Sequence, residues 1–251
     1  MKIRAPSGSD AEPINKVVEA AENILGGEKI EKAFLFAPDA LGEWLFQKYK
    51  DDFNVVIEAA PITVKLNSVL PTYTPVCYGS MFTGMKPEKH GIRKYDKPVL
   101  RCETIFDSLV KAGKHVAIVA VRNSSIDLIF RERLIDYYSE DYDTEVEERV
   151  IQILRDYDYD LILVYNQEYD GIMHRLTPSS KEALEAFKRH IYSFRRMSDS
   201  FNERNSEFNR LVAFLPDHGT HLDPENGKGA HGTSLKDDVE VRHFWGINSL
   251  T

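Results

Sequence analysis

Cysteine is nearly missing from this chain: only Cys77 and Cys102 occur, too few for a disulfide framework and without zinc-finger spacing. So sparse a count fits a reducing compartment. No apolar run reaches the roughly 18 residues that a membrane-spanning helix needs. The N-terminal MKIRAPSGSDAEPINKVV lacks the apolar stretch and small-residue cleavage site of a secretory signal. A cytoplasmic location, with no membrane partner, is therefore expected. Basic clusters are also absent: Asp and Glu outnumber Lys and Arg by 40 to 32, so no nucleic-acid groove is expected. An acidic chain acting on an anionic substrate needs a local source of positive charge, and bound cations would supply it. A merely solubilising surface explains the same composition.

What is present alternates between helical and extended patterns. Asp10 is placed to cap a helix over residues 12–25, where Val17, Val18, Ala21 and Ile24 recur at helical spacing before Gly26-Gly27. Residues 33–37 (AFLFA) form a continuous apolar run, the pattern of a strand buried on both faces. The run ends at Pro38-Asp39, and a helix is expected over 43–49. Residues 53–57 (FNVVI) read as a second strand, 104–112 as a helix, 115–121 (HVAIVAV) as a strand and 127–130 as a short strand. Then come a helix over 144–155, a strand over 160–165 (DLILVY), a long amphipathic helix over 180–205, and LVAFL at 211–215 as the last clear strand. This order predicts a mostly parallel sheet wrapped by helices, a three-layer α/β/α sandwich. With no repeat or linker, residues 1–251 read as one domain, 1–30 being a helical extension.

In such sheets, ligands bind beyond the carboxyl ends of the strands. Chemically capable residues fall there. The first strand runs into Asp39, the DLILVY strand leads to Asp170 and His174, and the LVAFL strand leads to Asp217-His218. Asp170 and His174 have the i,i+4 spacing that places both on one helical face. The Gly- and Pro-rich loop 219–232 can return His231 to the same rim. Asp and neutral His suit zinc, and carboxylates also serve Mn²⁺ or Mg²⁺. Each group alone reads more simply as a cap, a turn former or a structural histidine. Their joint arrival at three strand ends is what points to cations.

Thr74-Pro75 has the pattern of a helix N-cap followed by Pro at the first helical position, with the helix running to Gly84. A hydroxyl at a helix N-terminus sits where a phosphate is readily bound. A cation on its oxygen would make the alkoxide accessible near neutral pH. The plainer reading is a threonine that only caps.

Pro71-Thr72-Tyr73-Thr74, Ser80-Met81-Phe82-Thr83-Gly84 and Pro87-Glu88-Lys89-His90-Gly91-Ile92 together resemble the nucleophile region of the type I phosphodiesterase/nucleotide pyrophosphatase branch of the alkaline phosphatase superfamily. Asp39, the Asp170/His174 pair, Asp217-His218-Gly219 and His231-Gly232 match that branch's further motifs in order. The resemblance implies an alkaline phosphatase-like fold and a metal-dependent phosphoester hydrolase acting through a phosphothreonine on Thr74. It implies two divalent cations, zinc foremost, with Mn²⁺ or Mg²⁺ as alternatives. Asp170, His174 and His231 would hold one ion, and Asp39, Thr74, Asp217 and His218 the other. The substrate would be a small phosphorylated molecule such as a nucleotide. His221 competes for the last ligand position, but the glycines around His231 match the family better.

Cys77 departs from the pattern, standing where the branch has an Asn that contacts a phosphate oxygen. A thiol is a weaker donor than an amide. Phosphate orientation then falls to the helix N–H groups or to Tyr78, so Cys77 and Tyr78 are the expected substrate-side residues. The chain is short for the family and leaves little room for a cap, so a broad, exposed pocket is expected. A phosphomonoesterase, with Arg93 or Arg122 supplying charge, and a metal-binding pseudoenzyme are the alternatives. A sulfatase would need Cys or Ser in place of Thr74, and a phosphoglycerate mutase a large inserted domain.

Overall fold

The computed structural model describes residues 12–250, so Asp10, the expected cap of the first helix, lies outside the described residues. Among the described residues nine strands follow in chain order: β1 (Lys32–Pro38), β2 (Ile62–Asn67), β3 (Val116–Val121), β4 (Asp136–Glu140), β5 (Leu161–Asn166), β6 (Arg210–Phe214), β7 (His221–Leu222), β8 (Gly229–Ala230) and β9 (Glu240–Asn248). Seven form one sheet in the order β2-β9-β6-β1-β5-β3-β4. β1 lies at its centre, parallel to β5 and β6, and β3 is parallel to β4 and β5. β9 runs antiparallel to both β2 and β6. β7 and β8 make a separate small hairpin.

Alternate residues of the central strands feed two cores. Phe34, Phe36, Val164, Val212 and Phe214 meet the helices Asp143–Asp156 and Lys181–Arg204 on one face. There the rings of Phe36, Phe194 and Phe214 lie 5.3–5.8 Å apart, each pair contributing about 0.5–1.5 kcal/mol beyond area burial. On the other face Leu35, Ala37, Leu163, Tyr165 and Ala213 meet the helices Glu12–Leu25, Thr74–Thr83 and Ile105–Lys111. The result is the three-layer α/β/α sandwich expected, with a mostly parallel sheet.

Several segments differ from expectation. Residues 53–57 are not a strand: Asn54–Ala59 is a helix, and its buried positions Phe53, Val56 and Ala60 recur at helical spacing. The strand of this region is β2, just beyond Pro61. Residues 127–130 are also not a strand. Ser124 caps the short helix Ser125–Ile129 by accepting from Asp127 N at 3.2 Å, so local side-chain bonding prevails over the apolar pattern. β2, β4, β9 and the β7–β8 hairpin are strands beyond those expected. β4 is a half-exposed edge strand of polar composition, and β9 carries Arg242 and His243 amid its apolar residues.

Candidate active site

The register of the three middle strands sets the site. Asp39 N donates to Asn166 O at 2.9 Å and Leu215 N to Phe36 O at 2.8 Å, so β1, β5 and β6 end level with one another. Asp39 follows β1 directly, Asp217 and His218 follow β6, and Asp170 sits on the helix Glu168–Met173 after β5. Tyr78, from the helix Thr74–Thr83, ties this edge together: its hydroxyl donates to Pro38 O and Leu215 O, each at 3.2 Å.

Two groups of donor atoms result. Asp39, Asp217 and His218 form one, a possible metal-binding site, and Asp170, His174 and His231 form the other. Thr74 faces the first. Its Oγ1 lies 3.3 Å from both oxygens of Asp39 and 3.3 Å from His218 Nε2. His218 Nε2 is in turn 3.5 Å from Asp39 Oδ1 and 3.3 Å from Asp217 Oδ2. In the second group, Asp170 Oδ1 lies 3.3 Å from His174 Nε2 and 3.4 Å from His231 Nε2. The two nitrogens are 3.0 Å apart. The groups adjoin: the rings of His218 and His231 stack with centroids 4.1 Å apart.

The tautomers follow from the backbone. His218 Nδ1 donates to Gly219 O at 3.0 Å, His174 Nδ1 to Gly229 O at 3.0 Å and His231 Nδ1 to Thr72 O at 2.8 Å, since a carbonyl can only accept. In the neutral ring each Nε2 then carries a lone pair, aimed at carboxylate oxygens or at another Nε2. Asp217 Oδ2 and Asp170 Oδ1 are correspondingly buried with no hydrogen-bond partner. Such an array is repulsive unless a cation or protons occupy its centre.

The electrostatics agree. Burial, with the charges of Asp170 and Asp217, holds Asp39 well above the usual carboxylate range. Burial and Asp170 push Asp217 up to about 7. His218 is held well below its usual value by burial and by His231. Burial would raise Asp170, yet its contacts with His174 and His231 hold it low; the same contact raises His231 against its own burial. Carboxylates forced toward neutrality and imidazoles kept uncharged are groups that a cation would restore to their ligating forms.

The fit to divalent cations is dimensional as well as chemical. Four ligands at about 2.0–2.1 Å from a zinc ion are separated by roughly 3.3–3.4 Å in a tetrahedron. Thr74 Oγ1, Asp39 Oδ1 and His218 Nε2 lie 3.3–3.5 Å from one another, and Asp217 Oδ2 lies 3.3 Å from His218 Nε2. The second group offers three donors, which leaves a position open.

Other residues depart from expectation. Thr74 does not cap its helix: Tyr73 is the N-cap, and Thr74 is the first helical residue, so its hydroxyl is free to face Asp39 and His218. The first-turn N–H groups are partly spent, since Val76 N and Cys77 N both donate to Tyr73 O at 2.9 Å. Cys77 is buried with Sγ 3.8 Å from Val69 O, and Tyr78 is wholly buried with its hydroxyl committed to strand ends. Both groups are engaged by backbone carbonyls of the chain itself. His221 pairs with Asp238 at 2.7 Å, outside both donor groups, and Arg122 pairs with Asp141.

Three neighbours carried no signal in the sequence. The Tyr165 hydroxyl donates to Asp39 Oδ2. Tyr95, 58% exposed, meets Tyr73 with ring centroids 6.0 Å apart, and Tyr73 in turn meets His231 at 5.7 Å. Lys97 Nζ lies 5.5 Å above the Tyr95 ring. Burial and the charges of Asp39 and Asp170 raise the Tyr95 phenol, which places it within reach of the site's field. Only distance in the fold relates these residues to Thr74; an alternation of Tyr and Lys in a loop gives no warning.

A sheet of this topology, with carboxylates and imidazoles gathered round one threonine at its carboxyl edge, defines a protein of the alkaline phosphatase superfamily. The chain belongs within it to the type I phosphodiesterase/nucleotide pyrophosphatase family, which matches residues 57–238. Among curated proteins no relative matches the sequence. Solved structures share the fold at low identity. The C-terminal periplasmic domain of a phosphoethanolamine transferase from Campylobacter jejuni is 17% identical with a TM-score of 0.61, covering 88% of this chain and 80% of its own. Murine ectonucleotide pyrophosphatase/phosphodiesterase 5 is 15% identical at 0.61, covering 77% of this chain and 59% of its own. Phosphonoacetate hydrolase from Sinorhizobium meliloti 1021, in complex with phosphonoacetate, is 17% identical at 0.54, covering 77% and 57%. This chain thus spans somewhat over half the length of the last two.

Proposed function

We propose that the chain hydrolyses phosphoric esters of small molecules, diesters or nucleotide pyrophosphates foremost, with Thr74 as nucleophile and two divalent cations, zinc first among them. The observation that carries this reading is the spacing of Thr74 Oγ1, Asp39 Oδ1 and His218 Nε2, 3.3–3.5 Å from one another as the ligands of a tetrahedral zinc ion would be. Asp39, Asp217, His218 and Thr74 would hold one ion and Asp170, His174 and His231 the other. Bound there, the ions would lower the pKa of the threonine hydroxyl and neutralise charge developing on the phosphoryl oxygens.

The chain's own residues supply positioning. The helix start fixes Thr74 Oγ1 between Asp39 and His218, so the hydroxyl has one orientation from which to attack. Attack forms the Oγ1–P bond as the bond to the leaving oxygen breaks; the leaving group departs as an alcohol or nucleotide, taking up the proton that Thr74 gives up, and Thr74 stays esterified to a phosphoryl group that keeps its other substituent when the substrate is a diester. Water then attacks phosphorus, the Oγ1–P bond breaks, and phosphate or a phosphomonoester departs while the hydroxyl is regenerated. Tyr95 and Lys97 offer an aromatic face and a cation to the leaving portion. An inactive threonine-to-alanine form of the murine phosphodiesterase 5 is described in complex with AMP, which supports a nucleotide as substrate here.

Cys77 favours a second reading. With a buried thiol in place of the family's amide, the site has one strong phosphate donor fewer, as a binding protein without turnover would tolerate. Hydrolysis of bis-p-nitrophenyl phosphate and p-nitrophenyl phosphate, with zinc or manganese added, separates the readings. Turnover of the diester, abolished in Thr74→Ala with ion binding retained at the second group, supports the proposal. Preference for the monoester makes the chain a phosphomonoesterase, and tight zinc binding with neither substrate cleaved supports the binding protein. Activity surviving in Thr74→Ala removes the threonine from the mechanism.

A further inference from the structure

The two carboxylates of the Thr74-facing group are each held by one oxygen. Ala40 N donates to Asp217 Oδ1 at 3.2 Å, which leaves Oδ2, the atom without a partner, aimed at His218. Tyr165 does the corresponding work for Asp39: its hydroxyl donates to Oδ2, which also lies 3.3 Å from Thr74 Oγ1, while Oδ1, equally close to Thr74, is the oxygen paired with His218 Nε2. Tyr165 is itself fixed. It is the penultimate residue of β5, 1% exposed, and paired in register with Ala37 of β1, two residues before Asp39. Its ring packs edge-on against Tyr78 at 5.9 Å. A rigid buried donor at that point engages Oδ2 and leaves Oδ1 as the Asp39 oxygen whose neighbours are Thr74 and His218.

We infer that Tyr165 is a positioning residue that sets which cation the Thr74-facing group accepts, by restricting Asp39 to one ligating oxygen. This rests on the cation reading of the site given above. The chemistry is one of coordination number. With one oxygen from each of Asp39 and Asp217, one imidazole nitrogen and the Thr74 hydroxyl, the group presents four donors, the number zinc takes in tetrahedral sites. Were Oδ2 released, Asp39 could bind through both oxygens. The group would then be richer in oxygen and higher in coordination number, the condition that suits Mn²⁺ or Mg²⁺. Hydrogen-bond partners of ligands commonly change metal affinity ten- to a hundredfold when removed.

Tyr78 provides the control. It is equally buried, lies against Tyr165, and spends its hydroxyl on two backbone carbonyls and on no ligand. Tyr165→Phe and Tyr78→Phe each delete one buried hydroxyl and nothing else. Zinc and manganese dissociation constants are measured on the full chain by chelator competition, with the ion at Asp170, His174 and His231 as internal reference. In Tyr165→Phe the zinc-to-manganese preference of the Thr74-facing group should fall at least tenfold, the reference group should not change, and Tyr78→Phe should keep the wild-type preference. An unchanged preference in Tyr165→Phe, or an equal shift in Tyr78→Phe, overturns the inference and leaves the hydrolase reading standing. A wild-type chain that binds neither ion overturns both. Should Tyr165→Phe not fold, zinc-soaked wild-type crystals decide: Asp39 bound through Oδ1 alone supports the inference, and Asp39 bound through both oxygens overturns it.

Discussion

Gly219→Ala tests whether the backbone beside His218 is as tightly set as the site requires. Gly219 lies against the chain before β9, and its N–H donates to Asp238 O at 2.7 Å. A Cβ at this position would stand 2.0 Å from Asp237 O and 2.8 Å from Gly42 Cα, both backbone atoms with no rotamer to yield. The carbonyl would have to withdraw by about 1 Å before the contact became tolerable. Overpacking of this kind costs about 1–3 kcal/mol, and stretching the Asp238 hydrogen bond adds about 1 kcal/mol. Gly219 O also holds His218 Nδ1, so the displacement reaches the imidazole directly. We expect a loss of about 2–4 kcal/mol in urea unfolding, a midpoint lower by about 1 M at a slope near 3 kcal/mol per M. Zinc affinity at the Thr74-facing group should weaken in parallel. A variant with the wild-type midpoint and wild-type zinc affinity would refute the reasoning.

Burial lowers His243 to about 4 from an ordinary value near 6.5, with Nε2 donating to Pro216 O. The folded chain therefore refuses a proton that the unfolded chain accepts between these values. Stability from this group is complete above pH 6.5 and falls by up to about 3 kcal/mol as pH drops to 4; His243→Gln should flatten that part of the stability–pH curve. Zinc at a hundred times its dissociation constant should stabilise the fold by about 2.7 kcal/mol, and EDTA should reverse the gain. A melting temperature indifferent to both would remove the cations from the account.

The sheet's middle was legible because β1, β3, β5 and β6 are buried on both faces and so read as unbroken apolar runs. Its margins were not. β4 is one edge, with a polar sequence, and at the other end β2 and its inner neighbour β9, the sole antiparallel member, mix charged with apolar residues. Residues 53–57 have the composition of a strand, with Val55, Val56 and Ile57 β-branched, yet the buried positions Phe53, Val56 and Ala60 stand three and four apart, the spacing of a helix. At the site, side chains that follow strand ends could be named from the sequence, and the structure brings Asp39, Thr74, Asp170, His174, Asp217, His218 and His231 together. What holds them could not be named. Tyr165 reads only as the last letter of a strand, and the hydrogen bonds accepted by Thr72 and Gly229 use backbone carbonyls, which leave no mark in residue type.

Those carbonyls have a consequence for mutagenesis. His174 is anchored on Gly229, two residues before His231, and His231 is anchored on Thr72, two residues before Thr74. Each imidazole thus leans on the segment that delivers the next participant, like stones in an arch. Replacing one should disturb its successor as well, and paired substitutions should cost less than the total of their separate effects. Experiments that knock out these histidines singly will therefore overstate how much each one does.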